Sequence, residues 1–105
     1  MSGGCRPIGI NVGPATATAN HAAAAPGNSQ VFSATQELGG GSVCPAVLAL
    51  VNSNWTASDP SVHLSASPTT QVTATCTATV ANPVTIMATA ADGSGFTGQA
   101  SLTCN

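Results

Sequence analysis

Charge is almost absent from this chain of 105 residues. It has no lysine, a single arginine (Arg6), three carboxylates and two histidines, giving a formal net charge of -2. Tyrosine is missing too, so Trp55, Phe32 and Phe96 supply all the large aromatic rings. Without a basic patch there is no electrostatic footprint for a phosphate backbone or an anionic bilayer, so neither nucleic acid nor a membrane surface is an expected partner. No run approaches 18 apolar residues, the length a membrane span would need. No basic start precedes an apolar region in the manner of a signal peptide, so any export signal is expected to have been removed.

Large apolar side chains are also scarce. Ala, Thr, Ser and Gly make up 55 residues, whereas Val, Leu, Ile and Phe together make up 19. Such a composition with high charge would read as disorder, but 4% charged residues leaves no self-repulsion to hold the chain open. An ordered protein with a thin, small-residue core is the expectation. The length suits one domain, here placed over residues 6–105, with residues 1–5 read as a linker or cloning remnant.

What is abundant is alternation. Ile8, Ile10 and Val12 mark a first strand, closed by Gly13-Pro14. Ala15 to Ala19 and the alanine run Ala22 to Ala25 read as an extended edge or loop, because four residues do not repay helix nucleation. Gln30 to Thr35 is predicted as a strand with Phe32 and Ala34 on one face, and Glu37 to Ser42 as a glycine-rich loop. Pro45 keeps Cys44 in that loop. Ala46 to Ser58 carries Trp55 and is placed at the centre. Asp59-Pro60 turns the chain; Val62, Leu64 and Ala66 share a face as far as Pro68; Val72, Ala74 and Cys76 follow, with the strand open to extension through Ala78 and Val80. After Asn82-Pro83, Val84, Ile86, Ala88 and Ala90 line one face. The Asp92-Gly93-Ser94-Gly95 turn leads into a last strand with Phe96, Gly98, Ala100, Leu102 and Cys104 inward and Thr97, Gln99, Ser101 and Thr103 toward water. About seven short antiparallel strands without useful helical periodicity predict an all-β protein, with a β-sandwich as the natural solution. Threonine suits its wet faces, since the branched β-carbon favours extended backbone and the hydroxyl gives solubility without charge.

Cys5, Cys44, Cys76 and Cys104 lie far apart, without any C-x2-C pair, and read as structural disulfides formed in an oxidising compartment. An extracytoplasmic location follows as the expectation. Three pairings are open; antiparallel strand directions favour Cys5 with Cys44 and Cys76 with Cys104, the latter two on the inward parity of their strands.

The stretch Asn54-Trp55-Thr56-Ala57-Ser58-Asp59-Pro60-Ser61-Val62, followed by Thr85-Ile86-Met87-Ala88-Thr89-Ala90 and the closing strand, resembles bacterial immunoglobulin-like domains of group 2. Their pattern is a tryptophan strand ending in W-x-S-S-D/N-P, then a T-I-T-A-T-A strand and a final A-x-L-T/V strand. The likeness runs from about Ile8 to Cys104. Here Asn82-Pro83 replaces the usual glycine, and the four cysteines resemble a cysteine-bearing variety rather than the general pattern. The resemblance implies an immunoglobulin-like, Greek-key β-sandwich of about seven antiparallel strands, and a noncatalytic module of exported or cell-surface proteins, often in tandem, serving as spacer or adhesive domain.

The reactive groups are few. Trp55 is expected to fill the space between sheets rather than to stack on sugar, for which the chain lacks companion aromatics. His21 and His63 lack zinc-ligand spacing. A catalytic triad from these histidines with Glu37, Asp59 or Asp92 would need them brought together, and His63 is expected to point outward between Val62 and Leu64. One carboxylate in the Asp92 turn is too few for calcium. Asn54-Trp55-Thr56 is a formal glycosylation sequon on the tryptophan strand. Gly3-Gly4-Cys5 has a faint lipobox character without its upstream apolar residue. No catalytic, cofactor or metal residues are therefore assigned, and the chain is not expected to be an enzyme. The expected partners are neighbouring domains of the same protein or another surface protein. The alternative is a polysaccharide- or protein-binding module using exposed strands or the Gly39 to Ser42 loop, and a small secreted hydrolase has the least support. Because the first and last strands carry no charged guards, edge pairing with another chain is a further expectation.

Overall fold

A computed structural model describes residues 6–39 and 49–105. Cys5, Cys44, Gly3-Gly4, Pro45, residues 40–42 of the glycine loop and residues 46–48 lie outside them. Eight strands form in chain order: β1 Arg6–Gly13, β2 Thr16–Ala19, β3 Ser29–Gly39, β4 Ser53–Ala57, β5 Val62–Leu64, β6 Gln71–Cys76, β7 Val84–Ala90 and β8 Thr97–Cys104. They make two four-stranded sheets, ordered β1-β3-β6-β5 and β2-β8-β7-β4, arranged as a sandwich.

The period-2 pattern decides which face each strand buries. Val84, Ile86, Ala88 and Ala90 of β7 are buried, and so are Val72, Ala74 and Cys76 of β6. Phe32 and Ala34 turn inward from β3, and Ala100, Leu102 and Cys104 from β8. Between them Thr, Ser, Asn and Gln face water. Within a sheet, a large inward side chain repeatedly sits beside a small one: Val12 opposite Ala34, Leu64 opposite Ala74, Trp55 opposite Ala88 and Ile86 opposite Ala100. Alanine is thus the complement of several of the few large residues in these cross-strand pairs.

The chain moves between sheets at two instructive places. Gly13-Pro14 ends β1 on one sheet, and β2 begins two residues later on the other, where it runs parallel to β8. Residues 49–57 serve both sheets in turn. Ala49 accepts the Gln36 amide and the Val51 amide donates to Ala34, each at 2.9 Å, before Ser53–Ala57 pairs with β7. Ser53 and Thr69 then exchange two backbone bonds of 3.0 and 2.9 Å, stitching the start of β4 to the segment that leads into β6.

Several expectations change. The sandwich has eight strands, not about seven, because Thr16–Ala19 is a true strand, and its pairing with β8 is parallel. Alanine at the inward positions made that alternation too weakly apolar to register. Glu37–Gly39 continues β3 instead of looping, since Arg6 and the residues after it pair there across a bulge between Pro7 and Gly9. That bulge leaves Ile8 about half-exposed rather than in the core with Ile10 and Val12. β5 ends at Leu64, with Ala66 exposed, and β6 ends at Cys76 without extending to Val80. β8 is an interior strand between β2 and β7, so it offers no free edge.

Gly98 sets the approach of β1 to β8. A β-carbon at that position would lie 2.5 Å from the Ile10 carbonyl oxygen and 3.1 Å from Val12 Cγ2, so backbone occupies the space that a side chain would need. Across the second sheet the inward row shrinks from Trp55 through Ala88 to Gly98, and β1 lies over the glycine end. Gly98→Ala is expected to destabilise the fold by about 1–3 kcal/mol through overpacking, whereas Gly93→Ala in the exposed β7–β8 turn acts through its positive φ and leaves the core spacing intact. Urea denaturation, with the Trp55 environment compared in the two folded variants, checks both effects.

Candidate functional site

Trp55 projects from β4 into the core and retains only 4% of its exposure. Its indole Nε1 donates to the Thr69 carbonyl at 2.8 Å, and its backbone amide donates to Ser67 Oγ at 2.9 Å. A ring so enclosed, with its one polar atom already paired, has no free face for a sugar. Ser67 and Thr69, which sequence reasoning did not single out, matter because they occupy the free edge of β4. Nothing in a Ser-Pro-Thr stretch distinguishes that duty from an ordinary turn. Ser53, the buried polar residue beside them, donates its hydroxyl to the Val51 carbonyl at 3.0 Å.

Cys76 and Cys104 form a disulfide between the ends of β6 and β8, joining the two sheets at one pole. Both are buried, and their Cα atoms are 5.7 Å apart. Hydrogen bonds gather at the same pole: the Val80 amide donates to the Cys104 carbonyl at 3.1 Å and the Asn105 amide to the Ala19 carbonyl at 2.8 Å. Cys5 and Cys44 lie outside the described residues.

The titratable groups are dispersed. His21 follows β2, with Nδ1 2.8 Å from the Asn105 carbonyl and 3.4 Å from Thr79 Oγ1. His63 lies exposed on β5 beside Thr75 of β6, and Glu37 lies on β3 opposite Gly9. Asp59 accepts the Ser61 amide at 2.8 Å, closing the turn between β4 and β5. Asp92 accepts the Ser94 amide at 2.9 Å in the β7–β8 turn, where Gly93 and Gly95 both take φ of 83°. Among the described residues no three of His, Cys, Asp and Glu come together as a metal site.

A shallow cleft of about 280 Å³ lies between the Ser58-Asp59 turn and residues 80–84. Ser58 Oγ accepts the Thr85 amide at 2.9 Å and the Ser58 amide donates to Thr85 at 3.0 Å, so the cleft's hydroxyl is already engaged. It offers small polar contacts but no nucleophile–base pair.

The outer faces are more extensive. On the second sheet Thr16 and Thr18 of β2, Thr97, Gln99, Ser101 and Thr103 of β8, Thr85, Met87 and Thr89 of β7, and Asn54 and Thr56 of β4 alternate with the inward residues. No formally charged residue stands on these strands. The other sheet presents Val31, Thr73 and Asn11 outward, together with Glu37 and His63. Asn54 and Thr56 of the sequon are both exposed. Comparison with known proteins returns no matching family model, no matching curated protein and no matching solved structure.

Two outcomes follow. The disulfide closes a 28-residue separation, so Cys76→Ala/Cys104→Ala should cost about 3–4 kcal/mol by loop-closure entropy, measured as the drop in unfolding free energy against the oxidised protein. The Ser94 hydroxyl and amide hold the Asp92 carboxyl below the ordinary aspartate value. A depressed folded pKa stabilises above the unfolded pKa, and that contribution is lost as pH falls through the folded one. Ser94→Ala should move the Asp92 midpoint upward in a carboxyl-carbon NMR titration.

Proposed function

We propose that this chain is an immunoglobulin-like module, of the group 2 bacterial kind, that works outside the cytoplasm without catalysis, as a spacer or display domain between neighbouring modules. The strand order supports the fold assignment. Lettered along the chain with β2 as an extra strand after A, the sheets become A-B-E-D and a C-F-G sheet extended beyond G, the partition of an immunoglobulin constant-type sandwich. A buried tryptophan on the strand equivalent to C agrees with it. The Cys76–Cys104 bridge differs from the antibody pattern, since it joins the equivalents of E and G.

The observation that carries the spacer reading is the geometry of the first and last strands. Arg6 at the start of β1 pairs with Gly39 at the far end of β3. Ser29, at the near end of β3, pairs with Thr75 beside Cys76, to which Cys104 at the end of β8 is bonded. Chain enters at one pole and leaves at the other, so modules linked in series would lie end to end. Tension between those poles loads the parallel β2–β8 ladder along its strands, so its bonds are stressed together rather than one by one. The buried disulfide supports an oxidising surrounding.

The hydroxyl-rich, uncharged face of the second sheet favours one alternative, a module that binds polysaccharide or a partner protein by surface hydrogen bonds; a glycan array of the isolated chain discriminates it.

Stretching a tandem polyprotein of this chain tests the spacer reading. Discrete unfolding peaks are expected, and reductant should lengthen each step by roughly 90–100 Å, the extended length of the 28 residues spanned by the disulfide. Gradual extension at low force without peaks overturns the reading.

A further inference from the structure

We propose that the free edge of β2 docks a second copy of this chain, whose own Thr16–Ala19 strand adds antiparallel to the first. The argument begins with backbone direction. In the β2–β8 ladder the Ser101 amide donates to Ala15 and the Asn105 amide to Ala19, while the His21 amide donates to Asn105. Alternation along a strand therefore turns the amide and carbonyl of Thr16 and of Thr18 away from β8. β2 stands at the edge of its sheet, and among the described residues no other strand pairs along that side.

The other three edges are obstructed. β4 has its Ser53 backbone bonded to Thr69 and its Trp55 amide capped by Ser67. β5 is three residues long, and its Val62 amide turns back onto Asp59. β1 is bulged between Pro7 and Gly9 and lies with its Ile10 carbonyl against the Gly98 backbone of β8. β2 is short at four residues, but it has no bulge, no proline within Thr16–Ala19, and no charge, since Arg6, Glu37, Asp59 and Asp92 all lie elsewhere.

The same alternation restricts the register of the pair. Residues that exchange two bonds across an antiparallel ladder must both direct their polar groups at it. Of the registers that allow this, the one that uses all four groups within Thr16–Ala19 sets Thr16 opposite the partner's Thr18 and Thr18 opposite the partner's Thr16, with a two-fold axis beside Ala17. Four backbone hydrogen bonds form, flanked on the outer face by two Thr–Thr cross-strand pairs. The contact is isologous and closed, and it joins the two second sheets into one of eight strands. A foreign strand would gain specificity from pockets for its side chains, and β2 offers only alanine on its inward side; self-pairing matches this Thr-Ala alternation without needing pockets. Four residues cover much less than the ~800 Å² per partner typical of stable complexes, so the contact is weak between single copies and gains strength where copies are tethered in series.

This proposal deepens the spacer reading by naming a partner. Its test uses the isolated chain, so a failure here leaves the stretching experiment unaffected. Amide chemical shifts are followed through a dilution series together with sedimentation equilibrium, for the unaltered chain, Thr18→Lys, Thr18→Pro and the distant control Thr56→Lys. Proline at position 18 removes an amide directed away from β8, so the internal ladder survives. Trp55 fluorescence confirms that each variant is folded. The expected result is concentration-dependent shifts centred on Thr16–Ala19, association weakened at least tenfold by both Thr18 substitutions, and no change with Thr56→Lys. A chain that stays monomeric at millimolar concentration, association that survives both folded Thr18 variants, or shifts centred on another edge would each overturn the proposal.

Discussion

The backbone contact between β1 and β8 at Gly98 sets the spacing on which the rest of the sandwich depends. With few large apolar side chains available, the two sheets can exclude water only by lying close at one side, and a glycine there lets the Ile10 carbonyl rest against bare backbone. The opposite side of the second sheet is filled by Trp55. Between these extremes alanine beside valine, leucine or isoleucine evens out the volume. The core is therefore graded, and its shape follows from where the one indole and the one critical glycine stand in a single cross-strand row.

Outside the two turns that Asp59 and Asp92 close, polar groups in this protein are managed without charge. Serine and threonine close turns, cap strand edges and coat the outer faces. Trp55 illustrates the consequence: its two N–H groups are satisfied by a carbonyl and a hydroxyl from the same short segment, which at once seals the β4 edge and fixes the indole. Among the described residues no buried side-chain nitrogen or oxygen lacks a partner. A hydroxyl can donate and accept, so one residue type serves as turn lock, edge cap and wet surface without the desolvation cost of an ion.

Much of the architecture was legible in the sequence because alternation is legible. β7 and β8 could be read residue by residue, since valine, isoleucine, leucine and cysteine mark their inward faces against threonine and glutamine. β2 could not, because Thr-Ala-Thr-Ala alternates between two side chains too similar in size to reveal which face is buried, and its parallel pairing depends on a strand more than 80 residues later. β3 extends through Glu37–Gly39 for a similarly nonlocal reason: β1 lies beside it. Of the residues weighed as sites, Trp55 lies in the core and Cys76 with Cys104 is bonded across it, whereas the histidines and carboxylates remain apart because they fall in separate turns and on separate strands. The edge-capping duties of Ser67 and Thr69 had no local signature at all.

The bond between Cys76 and Cys104 turns the last part of the chain into a covalent ring that contains β7, its exposed turn and β8. A protease that cuts within that ring, for instance at the Gly93–Gly95 turn, severs the backbone without releasing a fragment. Both pieces stay tethered through sulfur and held by their neighbouring strands, so a single nick changes the connectivity of the molecule while adding only one water to its mass.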